Sequence, residues 1–141
     1  MILDLVPEND PILSESIPSY NFGFGAASQQ ASELAKLLIE NMYHHCGIGL
    51  SANQIGIPSR AFAMLVDNTP IVCFNPKILE ESEEWIYNKE GCLSFPALVL
   101  KIKRPKAIAV TYQDQDDQTM LASFSDLSSR CFCHELEHMD G

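Results

Sequence analysis

Apolar residues recur every three or four positions in two parts of the chain, which predicts two amphipathic helices. The first covers residues 28–46, where Ser28 can cap the start and Gly47 lies just past the end. Its apolar positions are Ala31, Leu34, Leu38 and Met42. The second covers residues 127–139. Residues 1–26 lack such a pattern and contain three prolines, so we expect them to be irregular.

Short apolar or alternating runs, separated by turn residues, lie between the two helices and predict β-strands. They cover residues 61–66, 71–74, 77–86, 97–103, 107–112 and 119–124. The acidic side chains between Glu80 and Glu84 are typical of a solvated face or a loop. Strands in hairpin order followed by a terminal helix predict an α+β fold, with antiparallel β-sheets packed around the C-terminal helix.

The composition is typical of one small acidic domain, residues 1–141. The 9 basic residues against 19 acidic ones give a net charge of −10, which argues against nucleic acid or an anionic membrane surface as the main partner. The first basic residue is Lys36, so the basic start of a secretory signal is missing. The longest apolar run is far below the roughly 20 residues of a membrane span, and we expect a cytoplasmic protein. An odd number of cysteines, 5, argues against a disulfide framework.

The segment His134-Glu135-Leu136-Glu137-His138 fits the pattern H-E-x-x-H. On a helix, His134 and His138 share one face and can hold the same divalent metal ion. Such an ion lowers the pKa of a bound water to about 7, and Glu135 could then take and return the proton. The alternative is a chance match on a surface helix. Two histidines are also not enough by themselves, because a catalytic metal site normally has three protein ligands.

The third ligand must come from another part of the chain. Cys131 is one turn before His134, but it lies about 10.5 Å along the helix axis from His138, so we interpret it as a packing residue that lines a pocket. Residues 90–94, with the sequence EGCLS, are a better source, because the glycine before Cys92 allows close approach of the backbone.

A glycine-rich run, GIGLSANQ, occupies residues 47–54 directly after the first helix. A phosphate-binding loop is a weak interpretation of this run, because a dinucleotide fingerprint follows a strand and opens a helix. A tight connection is the simpler interpretation, and Gln54 could then be a hydrogen-bonded core amide.

Together and in this order, GIGLSANQ, EGCLS and HELEHMDG closely resemble the motifs of the peptide deformylases, which are G-x-G-x-A-A-x-Q, E-G-C-L-S and H-E-x-x-H-x-D-G. The resemblance extends over nearly the whole chain. It implies that Cys92, His134 and His138 hold one metal ion, which is natively ferrous iron in this family, with zinc or nickel often found in preparations.

The resemblance also implies the reaction and its catalytic groups. Glu135 would be the general base and acid, while the Gln54 amide and the Leu93 backbone N–H would stabilise the oxyanion. The substrate would be an N-formylmethionyl peptide at the start of a newly made polypeptide, and the products would be formate and a free N-terminus.

The same resemblance implies how the peptide binds. Ile48, Gly49 and Gly91 would hold its backbone as an added strand, and Leu127 and Cys131 would help to line the methionine pocket.

Four features depart from the family pattern. Ser51 stands where alanine is usual, a change that we expect to be tolerated, and Val99 replaces an arginine common in bacterial members. Arg130 lies at a position expected to be apolar, so we expect its side chain to reach towards the surface. Bacterial members continue beyond the last motif with an extension that helps to dock them on ribosomes. Nothing follows Gly141 here, so we expect this docking to be lost or replaced. Short forms that resemble this chain occur in viruses of marine bacteria, which makes a phage origin plausible.

Two rival hypotheses remain. One is an H-E-x-x-H metallopeptidase that cuts internal peptide bonds, and Cys92 argues against it, because a thiolate with two histidines is unusual for a peptidase. The other is an inactive relative that keeps the metal as a structural element and binds peptides. The presence of Glu135 and Gln54 argues against that hypothesis, because a purely structural metal site needs neither.

Overall fold

A computed structural model describes residues 1–22, 26–92 and 94–141, and only the backbone of residues 26–29 and 95–100. Its helices are α1 (Ala26–His44) and α2 (Asp126–Asp140), and short 3-10 helices cover Pro11–Ser14 and Ala52–Ile55. Its strands are β1 (Gly49–Ser51), β2 (Ala61–Val66), β3 (Thr69–Glu81), β4 (Trp85–Cys92), β5 (Phe95–Pro105), β6 (Ala107–Gln113) and β7 (Thr119–Ser125).

The strands form two antiparallel sheets. Five of them pair in the order β1-β2-β3-β6-β7, and β4 and β5 form a separate two-stranded sheet. The predicted α+β fold with antiparallel sheets and a C-terminal helix is confirmed. No helix among the described residues combines the length and the apolar character that a membrane span requires.

The five-stranded sheet has a hydrophobic core on each of its two faces. On one face, Phe62 and Met64 of β2 belong to a cluster with Phe132 of α2. On the other face, alanines of β2 belong to a cluster with Leu38 and Met42 of α1. Because β2 is covered on both faces, its apolar residues form a continuous run instead of alternating with polar ones.

The predicted strand over residues 77–86 is wrong. β3 ends at Glu81 and β4 begins at Trp85. The Ser82 hydroxyl donates to the carbonyl of Glu84 and accepts from the Ala107 N–H, and these two bonds hold the turn between the strands. Apolar residues lie on both sides of the polar residues 80–84, so the sequence pattern alone joined two strands.

The Asn75-Pro76 pair, which predicted a turn, instead forms an irregularity within β3. The pairing of β3 with β6 shifts between Phe74 and Lys77, and Asn75 has a φ of 49°. The Asn75 side chain accepts a hydrogen bond from the Tyr20 N–H and donates to the Tyr20 carbonyl, which stabilises this β-bulge.

Candidate metal centre

Helix α2 brings the two histidines of the H-E-x-x-H motif together. Their Nε2 atoms are 3.2 Å apart, and the two rings make an edge-to-face contact with centroids 4.9 Å apart. The spacing of four residues places both side chains on the same face of the helix, as predicted.

Cys92, at the end of β4, completes the group. Its Sγ atom is 3.1 Å from the Nε2 atom of His138, and the three side chains offer ligand atoms that all lie within 4.8 Å of one another. In a tetrahedral site with bonds of about 2.0 to 2.3 Å, neighbouring ligand atoms are about 3.3 to 3.5 Å apart. The donor types and their spacing therefore fit one divalent metal ion.

The environment of Cys92 favours the thiolate that binds metals. Burial raises its pKa, but hydrogen bonds with His134 and His138 outweigh burial and lower the pKa to about 6. Burial also lowers the pKa of His134, whereas its contacts with Cys92 and Glu90 raise that pKa to about 10. A metal ion binds the neutral imidazole, so metal binding at His134 competes with the proton.

Glu90 lies directly behind His134, and the sequence motif alone did not show its role. Its Oε1 atom is 3.2 Å from Nδ1 of His134, and Arg104 donates one hydrogen bond to each carboxylate oxygen. Burial raises the pKa of Glu90, but hydrogen bonds from His134, Arg104 and Arg130 lower it to about 2. Metal-binding histidines commonly donate their second N–H to a carboxylate, which fixes the ring. An acidic residue two positions before Cys92, on the inward side of β4, is the signal that could have identified Glu90.

Glu135 is 3% exposed, and its Oε2 atom has no hydrogen-bond partner among the described residues. Burial raises its pKa to about 7, although His138 and His134 act in the opposite direction. A carboxyl group with this pKa can accept and return a proton near neutral pH. A buried carboxylate oxygen without a protein partner also fits a water held at the metal centre.

The Gln54 side chain points at the site because its carbonyl oxygen is bound elsewhere. Oε1 accepts from the Ser51 backbone N–H at 3.0 Å, while the Ser51 hydroxyl lies 3.1 Å from Oε1 and donates its proton to Asn53 Oδ1 at 2.6 Å. This leaves Nε2 to donate to the Ser94 hydroxyl at 3.0 Å and towards Sγ of Cys92 at 3.6 Å. The bond that orients the Gln54 amide thus comes from the Ser51 backbone, which an alanine at this position would also supply. Leu93, the other predicted oxyanion donor, lies outside the described residues.

A cavity of about 510 Å³ opens beside the metal group and is lined by β4, α2 and the segment before β1. The lining includes all five predicted substrate-binding residues, Ile48, Gly49, Gly91, Leu127 and Cys131. Ile48 and Leu127 are exposed at its rim. Cys131 is buried, burial raises the pKa of its thiol, and its Sγ atom donates to the Ile48 carbonyl at 3.6 Å, so this thiol stays protonated and lines the cavity.

The expectation for Arg130 is wrong. The residue is 8% exposed, and its guanidinium turns inward to Glu90 and to the carbonyls of Ile86 and Ile102. Three acceptors on the two-stranded sheet compensate the burial of this charge, so the side chain has no need to reach the surface.

Comparison with known proteins places these features in a family. The family profile of polypeptide deformylase matches residues 2–141. The chain is 42% identical over 104 residues to a peptide deformylase of Thermotoga neapolitana, which is 74% of this chain and 63% of that protein. It is 37% identical over 136 residues to a peptide deformylase of Finegoldia magna, which is 95% of this chain and 82% of that protein.

The fold agrees with this assignment. The crystal structure of peptide deformylase from Thermotoga maritima superposes with a TM-score of 0.91 at 34% identity, covering 99% of this chain and 92% of that chain. The profile match over nearly the full length and the similarity to the Finegoldia protein lead to one conclusion: this chain belongs to the polypeptide deformylase family.

Proposed function

We propose that this chain is a metal-dependent hydrolase that removes the formyl group from N-formylmethionine at the start of newly made polypeptides and releases formate. The observation that carries the proposal is the meeting of the Cys92, His134 and His138 ligand atoms beside the buried Glu135 carboxyl group, in a cavity open to a peptide. Membership of the deformylase family supports the choice of the formyl amide as the bond that is broken.

Each side chain of the centre has a separate task in this reaction. When bound, the metal ion polarises the formyl carbonyl and lowers the pKa of water for attack on it. Glu135 takes the proton of the attacking water and returns it to the leaving nitrogen. The Gln54 amide donates to the oxygen on which negative charge develops, and the resemblance assigns the Leu93 N–H the same task.

Two sheet edges that carry no further strand among the described residues lie beside the cavity and offer a place for the peptide. β1 is an edge strand of the five-stranded sheet, β4 has β5 as its partner, and the cavity lies against both through Gly49 and Gly91. An extended peptide between them could take backbone hydrogen bonds from each edge. The methionine side chain would then lie against Leu127 and Cys131.

For the ion we propose ferrous iron, with zinc or nickel as substitutes in a purified preparation. One thiolate and two imidazoles suit all three of these metals, and the resemblance selects iron among them. Metal analysis of protein purified without oxygen measures the choice directly. An iron content far below one ion per chain, with zinc in its place, would contradict it.

We also place the reaction in the cytoplasm, where formylated chains are made.

The decisive assay is release of formate from formyl-Met-Ala-Ser by protein purified anaerobically with iron. Acetyl-Met-Ala-Ser is the matched control, because it presents the same peptide with a larger acyl group. We expect formate from the first peptide and no reaction with the second. Cleavage of unformylated peptides without formate release would identify a metallopeptidase instead, and metal binding with neither reaction would identify an inactive peptide-binding relative.

A further inference from the structure

Arg130 joins helix α2 to the two-stranded sheet at the metal centre. Its Nη1 atom donates to Glu90 Oε2 at 2.6 Å and to the Ile102 carbonyl at 2.9 Å, and its Nη2 atom donates to the Ile86 carbonyl at 2.6 Å. It therefore contacts the side chain behind His134 and the backbones of β4 and β5 at the same time.

Glu90 shares its two oxygens among four donor groups. Oε2 accepts from Arg130 and from Nε of Arg104 at 3.1 Å, while Oε1 accepts from Nη2 of Arg104 at 3.0 Å and faces Nδ1 of His134. Arg130 occupies the oxygen that is turned away from the histidine. Rotation of the carboxylate would break this bond, so Arg130 acts together with the two bonds from Arg104 to hold Oε1 towards the imidazole ring.

Ion pairs also connect Arg130 to this group. Arg104 forms ion pairs with both Glu90 and Glu137, and Arg130 forms a second ion pair with Glu90. The side chains of Glu90, Arg104 and Arg130 are at most 10% exposed, whereas that of Glu137 is 67% exposed, so Glu90 is the buried carboxylate of the group. Removing a charged partner from a buried ion pair is costly, and loss of Arg130 leaves Glu90 with Arg104 as its remaining guanidinium partner among the described residues.

We infer that Arg130 is a positioning residue that acts through Glu90 on the metal ligand His134. The inference rests on the proposed function only in taking His134 as a ligand. Arg130 lies on the same helix as His134, one turn before it, so it fixes the distance between that helix and Glu90 in addition to the orientation of the carboxylate.

The chain offers a matched control for the test. Arg60 also donates to two backbone carbonyls and one carboxylate, namely those of Ile17, Met139 and Asp140. It binds the C-terminal turn of α2 through backbone and Asp140 contacts next to His138, and it has no contact with Glu90 among the described hydrogen bonds. Arg60→Leu therefore removes a comparable set of bonds from the same helix without removing a hydrogen bond to Glu90 or to the side chain of Cys92, His134 or His138.

Binding of cobalt(II) alone to the metal-free protein measures the effect, by competition with a chelator and by the visible absorption of the cobalt–thiolate site. We expect Arg130→Leu to weaken cobalt affinity by about 10- to 100-fold, the usual effect of losing an outer-shell partner, and to change the absorption spectrum. We expect Arg60→Leu to leave both unchanged. Equal affinity and an identical spectrum for Arg130→Leu and the wild type would overturn the inference.

A second comparison separates positioning from simple attachment of the helix. If Arg130 acts through Glu90, adding Arg130→Leu to Glu90→Gln should weaken cobalt binding little beyond Glu90→Gln alone, whereas additive losses would overturn the inference.

If the leucine variants do not fold, Arg130→Lys and Arg60→Lys replace them. Lysine keeps the charge but cannot reach three acceptors, so the first variant alone should lose affinity. Cobalt binding does not require turnover, so absence of formate release would refute the proposed function and leave this result standing.

Discussion

Two cysteines near the centre have opposite chemistry because their surroundings differ. Cys92 lies at the end of β4 against two imidazoles, which lower the pKa of its thiol to about 6 despite burial. Cys131 lies among apolar side chains, and burial, together with the charge of Glu135, raises the pKa of its thiol. Only the first is poised to be a thiolate, which is the form that binds a metal ion.

The ligand assignment predicts different outcomes for two matched substitutions. We expect Cys92→Ser to weaken cobalt(II) binding and abolish the absorption of the cobalt–thiolate site, because the hydroxyl stays protonated. Cys131→Ser should bind cobalt like the wild type. Titration of each metal-free protein with cobalt, followed by visible absorption, gives both results. Normal binding by Cys92→Ser together with a defect in Cys131→Ser would show that the thiols are assigned the wrong way round.

The proton transfer assigned to Glu135 predicts a loss of rate without a loss of metal. Glu135→Gln keeps the shape of the buried side chain but cannot accept the proton, so we expect kcat for formate release to fall by about 10² to 10⁴-fold. Metal content should stay near that of the wild type, because the carboxylate is not among the three ligands. Full activity of this variant would rule out Glu135 as the base.

For individual residues, the sequence predicts the metal ligands and the proposed base better than it predicts the side chains that hydrogen-bond to them. The spacing of His134 and His138 already requires one helix face, and the motifs point to Cys92. Arg130 was mispredicted, because its acceptors lie 28 to 44 residues away on the two-stranded sheet. Local pattern carries no information on which distant carbonyls will be close enough to accept a hydrogen bond.

Among the elements, the contact of β1 with α2 depends on the absence of a side chain at Gly49. A Cβ atom there would be 2.8 Å from Sγ of Cys131 and 3.1 Å from Oε1 of Glu135. Gly91, on the opposite side of the cavity, has nothing within 4 Å of the same position. Neither glycine has a positive φ, so only packing distinguishes the two.

This difference predicts unequal effects of the same substitution. Gly49→Ala should lower the free energy of unfolding by about 1 to 3 kcal/mol, the usual cost of overpacking a buried contact, and slow formate release by displacing Glu135. Gly91→Ala should leave thermal stability unchanged. Thermal unfolding of the two variants beside the wild type tests the pair, and equal stability of all three would show that β1 and α2 tolerate a wider separation.

The sequence predicts a helix or strand best where its buried side chains all lie on one face of that element. The 3.6-residue repeat located α2 to within one residue of Asp126–Asp140, because its buried side chains form one stripe. The short strand β1 and the turn after β3 were missed. β1 is three buried residues long, and its pairing with β2 depends on contacts outside the segment.

Across the whole molecule, the metal group connects parts that are far apart in the chain. Cys92 belongs to the two-stranded sheet, whereas His134 and His138 belong to the helix that packs on the five-stranded sheet. An ion bound by all three therefore links the two sheets through α2. Arg130 and Arg104 make the same connection with hydrogen bonds, so the link is strengthened by the ion but does not depend on it alone.

Metal removal should therefore lower the stability of the entire fold. An ion at 100 times its dissociation constant stabilises the folded state by about 2.7 kcal/mol, which should raise Tm by several degrees in a chain of this size. Thermal unfolding of the metal-free protein with and without zinc measures the shift. Magnesium is the matched control ion, because it prefers oxygen ligands and should give no shift. The rise in Tm on addition of zinc should be smaller for Cys92→Ser than for the wild type. An identical Tm with zinc, magnesium and no metal would contradict a metal site that connects the two sheets.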